Sequence, residues 1–177
     1  DGYWEDVGTI KSYYESSLSL ASDNPPFHLA ASDAPIYSRP EFLPPTSVQN
    51  ASVKQSLIAD GCRIGEGAVI ENSVIGQRCL IGRNVIIRNS IILGADAYET
   101  SAELEKARAA GLPAIGIADD AVIEGSILDK NCRVGRGARV VNEKGLENSA
   151  GDADDCLIRD GIPIVLKDAV IPDGWKM

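Results

Sequence analysis

Residues 53–58, 70–75 and 87–92 read VKQSLI, IENSVI and IRNSII, so that one six-residue phrase returns every 17 positions. Aliphatic residues also stand between these phrases, at steps of five or six residues. The series consists of Val53, Ile58, Ile64, Ile70, Ile75, Ile81, Ile87 and Ile92, then Ile117, Ile123, Leu128, Val134 and Val140, and finally Val165 and Ile171. Neither an amphipathic helix nor an alternating strand repeats at this interval. The spacing predicts a mainly β solenoid of short strands, three to a coil, in which each coil buries its apolar residues against the next.

Two further columns keep the same register. Glycine follows the aliphatic residue directly at Gly65, Gly76, Gly82 and Gly135, as expected where the backbone turns sharply. Small residues stand four positions after the aliphatic residue, at Cys62, Ala68, Cys79, Val85, Ala121, Cys132, Ala138 and Ala169. Three of the four cysteines are therefore predicted to be small buried side chains and not metal ligands, while Cys156 lies outside the pattern. Over residues 48–175 the pattern resembles the hexapeptide repeat of left-handed parallel β-helices, and the resemblance implies the handedness.

The composition changes after residue 46, from mixed and proline-rich to rich in isoleucine, valine and glycine. The predicted parts are the end of a first domain with a short helix (1–22), a linker (23–46) and the β-helix (47–177). Within the β-helix, helix-forming residues from Glu99 to Ala110 predict a helix in an insertion at 94–116, which Gly111 would end. A second, polar insertion is predicted from Asn142 to Asp155.

The chain carries a formal net charge of −9, with 17 Lys and Arg against 26 Asp and Glu. A nucleic-acid partner is not expected, because binding phosphate backbones requires a basic surface. No apolar run has the length of a membrane span and no signal peptide stands at the start, so a membrane partner is not expected either. The chain begins at Asp1 and not at Met, which predicts that it is part of a longer or processed protein.

The opening segment contains two adjacent carboxylates, Glu5 and Asp6, between Trp4 and the pair Gly8-Thr9. A magnesium ion bound to phosphate needs only one or two carboxylates, so Asp6 is a candidate metal ligand. Considered alone, however, an acidic residue just before a helix is more often a helix cap.

The order of several motifs is more specific than any one of them. Gly2-Tyr-Trp-Glu-Asp-Val-Gly-Thr9, then Ala34-Pro-Ile-Tyr-Ser-Arg39, then Leu43-Pro-Pro45 and the hexapeptide repeat together resemble the glucose-1-phosphate adenylyltransferases of bacteria and plants over nearly the whole chain. The resemblance implies synthesis of ADP-glucose and pyrophosphate from ATP and glucose 1-phosphate. It also implies that Asp6 binds the catalytic Mg²⁺ and that Trp4 and Glu5 lie near the sugar phosphate. That family's glycine-rich nucleotide loop is absent from these residues, so the chain alone is predicted to have no turnover.

Two basic stretches resemble the effector-binding elements of the same family. They are Leu128-Asp-Lys-Asn-Cys-Arg-Val-Gly-Arg136 and Ile164-Val-Leu-Lys-Asp-Ala-Val-Ile-Pro-Asp-Gly174. The resemblance implies an anionic, phosphorylated effector, and the predicted effector-binding residues are Arg39, Lys130, Arg133, Arg159 and Lys167. Glu41 departs from the family, whose members often carry a basic residue there, so the response to an inhibitor stays open.

The resemblance further implies a homo- or hetero-oligomer, expected to be a tetramer, in the cytoplasm or in a plastid. Other sugar-phosphate nucleotidyltransferases and non-catalytic regulatory subunits remain alternatives. A hexapeptide acyltransferase is less favoured, because those enzymes commonly use a histidine of a coil as general base. The single histidine, His28, stands outside the repeats.

Overall fold

The computed structural model describes residues 3–33, 35–37, 39–149 and 155–177. Within these ranges the helices are α1 (Ile10–Ser19) and α2 (Ser101–Ala109). The strands are β1 (Ser47–Val48), β2 (Ser52–Lys54), β3 (Leu57–Ile58), β4 (Arg63–Ile64), β5 (Val69–Glu71), β6 (Val74–Ile75), β7 (Leu80–Ile81), β8 (Ile86–Arg88), β9 (Ile91–Ile92), β10 (Gly116–Ile117), β11 (Val122–Glu124), β12 (Ile127–Leu128), β13 (Arg133–Val134), β14 (Arg139–Val140), β15 (Cys156–Arg159), β16 (Ile162–Val165) and β17 (Val170–Ile171).

The strands form three sheets, one on each face of a solenoid. The first sheet has the order β1-β4-β7-β10-β13-β17, the second β14-β11-β8-β5-β2, and the third β15-β16-β12-β9-β6-β3. Strands of successive coils pair in parallel and in the register of the repeat, so that Ile70 lies opposite both Val53 and Ile87. The predicted β-helix with three strands per coil is confirmed.

The aliphatic series forms the core. From Ile64 to Ile171 each of its members is at most 5% exposed, and each member of the small-residue column is at most 6% exposed. Val53, at 39% exposed, and the half-buried Ile58 are the exceptions, because both belong to the first coil, which has a neighbouring coil on one side only. The predicted burial of Cys62, Cys79 and Cys132 is confirmed, and all four cysteines of the chain are free thiols.

The coils turn at three corners, and left-handed backbone conformations recur there in columns. The corner between the third and first sheets, hereafter the third corner, contains Gly61, Arg78, Asn131 and Asp168, all with positive φ. Asn, Asp and Gly adopt this conformation more readily than other residues, which explains their recurrence at the corners. Glycine also stands where two backbones approach closely: in the same corner, a Cβ at Gly76 would lie 2.4 Å from the carbonyl oxygen of Leu93.

The first insertion contains the helix that the sequence predicts. Helix α2 begins after Thr100, whose hydroxyl accepts from the backbone of Glu103 while the Glu103 carboxylate accepts from the backbone of Thr100. The helix ends before Gly111, which has a φ of 71° and donates its N–H to the carbonyl of Arg108. This arrangement at both ends matches the capping box and the glycine stop of an ordinary helix.

The second insertion ends in a hairpin that the repeat does not predict. Strands β15 and β16 pair antiparallel across a turn at Asp160 and Gly161, both of which have positive φ. An Asp-Gly pair in this conformation is typical of a two-residue hairpin turn. β15 thereby covers the edge of the third sheet and buries Cys156, which the sequence left unassigned. Part of the predicted insertion, 150–154, lies outside the described residues.

Helix α1 packs on the outer face of the third sheet. Tyr13, Tyr14 and Leu18 contact a group of outward-facing isoleucines, and the Tyr14 hydroxyl donates to the carbonyl of Asn89. The isoleucines are Ile91, Ile127, Ile162 and Ile164. The helix follows the cap residue Thr9 and ends at Ser19, within the segment 1–22 where the sequence predicts a short helix. Although residues 1–22 are predicted to belong to a different domain, their helix is therefore attached to the β-helix.

Candidate functional site

Two predicted effector residues lie side by side at the third corner. β13 pairs with β17 so that Val134 lies opposite Ile171, and Lys130 and Lys167 each stand four positions before these residues. The backbone N–H of Asp168 donates to the carbonyl of Lys130 at 3.0 Å, which holds the two lysines in neighbouring coils. The β-helix register thus brings together two residues that are far apart in the sequence.

Both lysines contact the same carboxylate. The Nζ of Lys130 lies 2.8 Å from Oδ1 of Asp96, and the Nζ of Lys167 lies 3.1 Å from Oδ2. Hydrogen bonds from Lys130 and then Lys167 hold the pKa of Asp96 below its usual value, and Asp96 in turn raises the pKa of Lys167. All three side chains are about half exposed, so they are accessible to a ligand from solvent.

Asn131 fixes the position of Asp96. Its side-chain oxygen accepts from the backbone N–H of Asp96 at 2.9 Å, while its Nδ2 donates to Asp96 Oδ2 at 3.1 Å and to Asp168 Oδ1 at 2.9 Å. We call these five residues, Asp96, Lys130, Asn131, Lys167 and Asp168, the lysine corner. Asp96 is absent from the sequence-based prediction because it lies in the first insertion, where the repeat is interrupted.

The linker passes along the same corner. Glu41 forms an ion pair with Arg78 at 2.8 Å, and Arg78 donates to the carbonyl of Ala95, the residue before Asp96. Arg39 is exposed and stands two residues before Glu41, which limits the distance between their Cα atoms to about 7 Å. The Glu41 that departs from the family pattern therefore attaches the linker to the β-helix beside the lysine corner.

Arg133 contacts the first insertion, and it also borders the lysine corner, because it lines one pocket with Asp96, Asn131 and Asp168. Its Nη2 lies 2.6 Å from Oε1 of Glu99, and its Nη1 donates to the carbonyl of Pro113 at 2.7 Å. The other oxygen of Glu99 accepts from the backbone N–H of Ile115 at 2.7 Å. Arg133 thus joins both ends of the insertion to the first sheet, and its predicted contact with an effector stays a prediction.

Arg159 lies at the far end of the hairpin from Lys167. It pairs with Ile162 beside the turn, whereas Cys156, at the other end of β15, pairs with Val165, two residues before Lys167. Three residue steps along a strand correspond to about 10 Å. The structure therefore does not bring Arg159 into the lysine corner, and its predicted role also stays a prediction.

Trp4, Glu5 and Asp6 are exposed near the start of α1. Oδ1 of Asp6 accepts from the backbone N–H of Gly8 at 3.0 Å, while Thr9 is the residue that caps the helix. The alternative interpretation of Asp6 as the helix cap is thus not supported. Among the described residues, no group of three or more His, Cys, Asp or Glu side chains is arranged to hold a metal ion. Asp6 can supply one carboxylate ligand, which is what a magnesium ion shared with phosphate requires.

The described helices are all too short to cross a membrane. His28 is exposed and lies in the chain segment between α1 and β1, which is not part of a coil. The geometry therefore offers no support for a coil histidine of the kind that hexapeptide acyltransferases use.

A comparison with protein families places this β-helix among known domains. The model of the GLGC left-handed parallel β-helix domain matches residues 41–175, which is most of the chain. The chain belongs to this family. The GLGC domain is the C-terminal part of ADP-glucose pyrophosphorylase, so the predicted fold and its left-handed sense are both confirmed.

The match separates the predicted site residues into two groups. Lys130, Arg133, Arg159 and Lys167 lie within the GLGC domain, as does Glu41, with which the match begins. The other predicted residues, Trp4, Glu5, Asp6 and Arg39, precede it. The lysine corner consequently belongs to the GLGC domain itself, and the candidate metal ligand lies in the segment before it.

Proposed function

We propose that this chain is the regulatory and assembly region of a glucose-1-phosphate adenylyltransferase, which makes ADP-glucose and pyrophosphate from ATP and glucose 1-phosphate for glycogen or starch synthesis. Membership of the GLGC family supports the enzyme class. In this proposal the protein is an oligomer, expected to be a tetramer, in the cytoplasm or a plastid, and the lysine corner binds an anionic, phosphorylated effector.

One observation carries the proposal for the effector site. The ammonium groups of Lys130 and Lys167 both reach one carboxylate, at 2.8 and 3.1 Å, so the two cations are already placed to share a single anion. A phosphate group offers three acceptor oxygens and a larger negative charge than a carboxylate, and it can occupy the same position between them. Lysine suits this role because its ammonium group is a mobile point charge that adapts to the ligand.

Arg39 and the linker extend the proposed site. Glu41 is anchored to Arg78 beside Ala95, and the exposed Arg39 stands only two residues before Glu41, so Arg39 is held near the lysine corner. Arginine holds phosphate through two parallel hydrogen bonds, so Arg39 can add a directional contact to a bound effector. In this proposal Arg133 joins the first insertion to the first sheet and Arg159 lies in the hairpin. Contacts of these two arginines with the effector stay predictions.

The catalytic part of the proposal rests on the opening segment. Asp6 would hold the Mg²⁺ with one carboxylate oxygen, and phosphate oxygens and water would complete its coordination. When bound, the ion offsets the negative charge of the reacting phosphates. The exposed side chains of Trp4 and Glu5 beside Asp6 would then line the position of the sugar phosphate.

The effector site is tested by titrating inorganic phosphate into the chain and following its binding by calorimetry. A charge-assisted contact contributes about 1.5–3 kcal/mol, so Lys130→Ala and Lys167→Ala should each weaken binding by about tenfold or more. Lys144→Ala is the matched control, because Lys144 is exposed in the loop after β14. Equal binding by all three variants, or no binding by the unsubstituted chain, would refute the proposed site.

The enzyme assignment is tested with the full-length gene product. We expect ADP-glucose synthesis that phosphorylated sugars or acids activate, and Lys167→Ala should raise the activator concentration required by roughly ten- to a hundredfold. An unchanged activation curve would remove the regulatory role. Measurable ADP-glucose formation by the 177-residue chain alone would contradict the expectation that it has no turnover.

A further inference from the structure

Asp96 occupies the place that a bound anion would take. Its two carboxylate oxygens are divided between the two lysines, with Oδ1 near Lys130 and Oδ2 near Lys167. A ligand that bridged the same ammonium groups would need the same volume and the same hydrogen-bond donors. An external anion and the Asp96 side chain are therefore alternatives at this position.

The carboxylates around the two lysines determine whether an approaching anion is repelled. Asp129 and Asp168 also act on Lys167 through their charges, so two ammonium groups face three carboxylates including Asp96, a sum of −1. With Asp96 in place, an approaching anion meets a slightly negative surface. With the Asp96 carboxylate turned away, the two lysines balance the two remaining aspartates, and an anion no longer meets net repulsion.

The carboxylate can leave without unfolding the corner. The backbone N–H of Asp96 donates to the side-chain oxygen of Asn131 at 2.9 Å, and this bond does not involve the Asp96 carboxylate. Two residues later, the Tyr98 hydroxyl donates to the carbonyl of Gly61 at 2.7 Å and holds the start of the insertion. Rotation about the side-chain bonds of Asp96 frees both lysines and gives up the hydrogen bond from Asn131 Nδ2 to Oδ2, while the backbone stays attached at Asp96 and at Tyr98.

We propose that Asp96 is an internal competitor for the anionic ligand of the lysine corner, and that it determines which anions bind there. A monoanion such as acetate offers the lysines no more charge than Asp96 does, and it does not displace a carboxylate that the chain already supplies. A phosphate carries about −1.5 to −2 charges near pH 7 and displaces Asp96. The inference rests on the proposed function, because it assumes that Lys130 and Lys167 bind the effector.

The test compares the unsubstituted chain with Asp96→Asn, which keeps the size of the side chain and one acceptor oxygen but removes its charge. Inorganic phosphate and acetate are titrated separately, and binding is followed by calorimetry and by the NMR signals of the lysine ε-methylene groups. Glu143→Gln is the matched control, because Glu143 is an exposed carboxylate that pairs with Arg139 at 2.8 Å on a different side of the coil. A Lys130→Ala, Lys167→Ala double variant reports on the site itself.

We expect Asp96→Asn to lower the phosphate concentration for half-saturation by about tenfold, a difference of about 1.4 kcal/mol, and to make acetate binding measurable. Glu143→Gln should leave both titrations unchanged. If Asp96→Asn binds phosphate as the unsubstituted chain does, or more weakly, and the double variant loses binding, the lysines bind the effector but Asp96 does not compete. If the unsubstituted chain and Asp96→Asn both fail to bind phosphate, the proposed effector site fails as well.

Discussion

At the scale of single residues, three buried serines form a hydrogen-bonded column beside the aliphatic core. The Ser73 hydroxyl accepts from the backbone N–H of Ser90 at 3.1 Å, and the Ser90 hydroxyl accepts from that of Ser126 at 3.2 Å. All three residues are 0% exposed, so water cannot replace a lost partner. We expect Ser90→Ala to lower the free energy of unfolding by about 1–3 kcal/mol, since it leaves a buried N–H without its acceptor.

The measurement is urea unfolding followed by circular dichroism. Ser101→Ala is the control, because Ser101 is exposed in the first turn of α2 and a surface change of this kind stays within about 0.5 kcal/mol. A loss of stability for Ser90→Ala no larger than that of the control would show that the serine column does not stabilise the coils.

The sequence predicts the direction of those side chains whose positions belong to the repeat. Ile70 and Cys79 point inward because their places in the five- and six-residue steps determine their direction, and no distant contact is needed to find them. Asp96 is different, because it lies where the chain leaves the repeat. Its contact with Lys130 and Lys167 depends on the path of the insertion, which the spacing does not specify.

At the scale of secondary-structure elements, a largely buried ion pair joins the first insertion to the β-helix. The side chain of Glu99 is only 6% exposed and that of Arg133 is 20% exposed, and together they join the insertion to β13. Breaking a fully buried pair costs about 3–5 kcal/mol, because the remaining charge is left without a partner. Since Arg133 is partly exposed, we expect Arg133→Ala to cost about 2 kcal/mol and to increase hydrogen exchange in α2.

Arg136→Ala provides the comparison. Arg136 is in the same coil, but its side chain is 67% exposed and its pair with Asp119 is longer, at 3.5 Å. An exposed pair of this kind contributes about 0–1 kcal/mol, so the control should leave α2 protected from exchange. Similar exchange in both variants would mean that α2 is held by contacts other than the Arg133–Glu99 pair.

Whether an element outside the repeat can be predicted depends on whether its signal lies within its own residues. The composition and both capping signals of α2 lie within the element itself, so its position follows from the sequence. The β15–β16 hairpin has a comparable local signal in Asp160-Gly161, which lies outside the aliphatic repeat. The packing of α1 on the third sheet has no such local signal. It depends on outward-facing residues such as Ile91 and Ile127, whereas the repeat predicts only which residues face inward.

For the whole molecule, the two ends of the solenoid differ in how they are covered. At the C-terminal end, Trp175 and Met177 pack against the core, and β15 covers the last strand of the third sheet. At the first coil, Val48 and Val53 are 50% and 39% exposed. Each coil is stabilised mainly by its neighbouring coils. An inward-facing side chain should therefore contribute less to the free energy of unfolding in the first coil than in a coil that is covered.

Val53 and Val140 allow this difference to be measured with identical chemistry. Both are valines of the inward column of the second sheet, but Val140 is 0% exposed whereas Val53 is 39% exposed. Truncation of a buried aliphatic side chain removes its transfer free energy and leaves a cavity. We therefore expect Val140→Ala to lower the free energy of unfolding by about 2–3 kcal/mol and Val53→Ala by less than about 1 kcal/mol, measured by urea unfolding. Equal losses would mean that the first coil is covered in solution, for instance by an adjoining part of the protein or by another subunit.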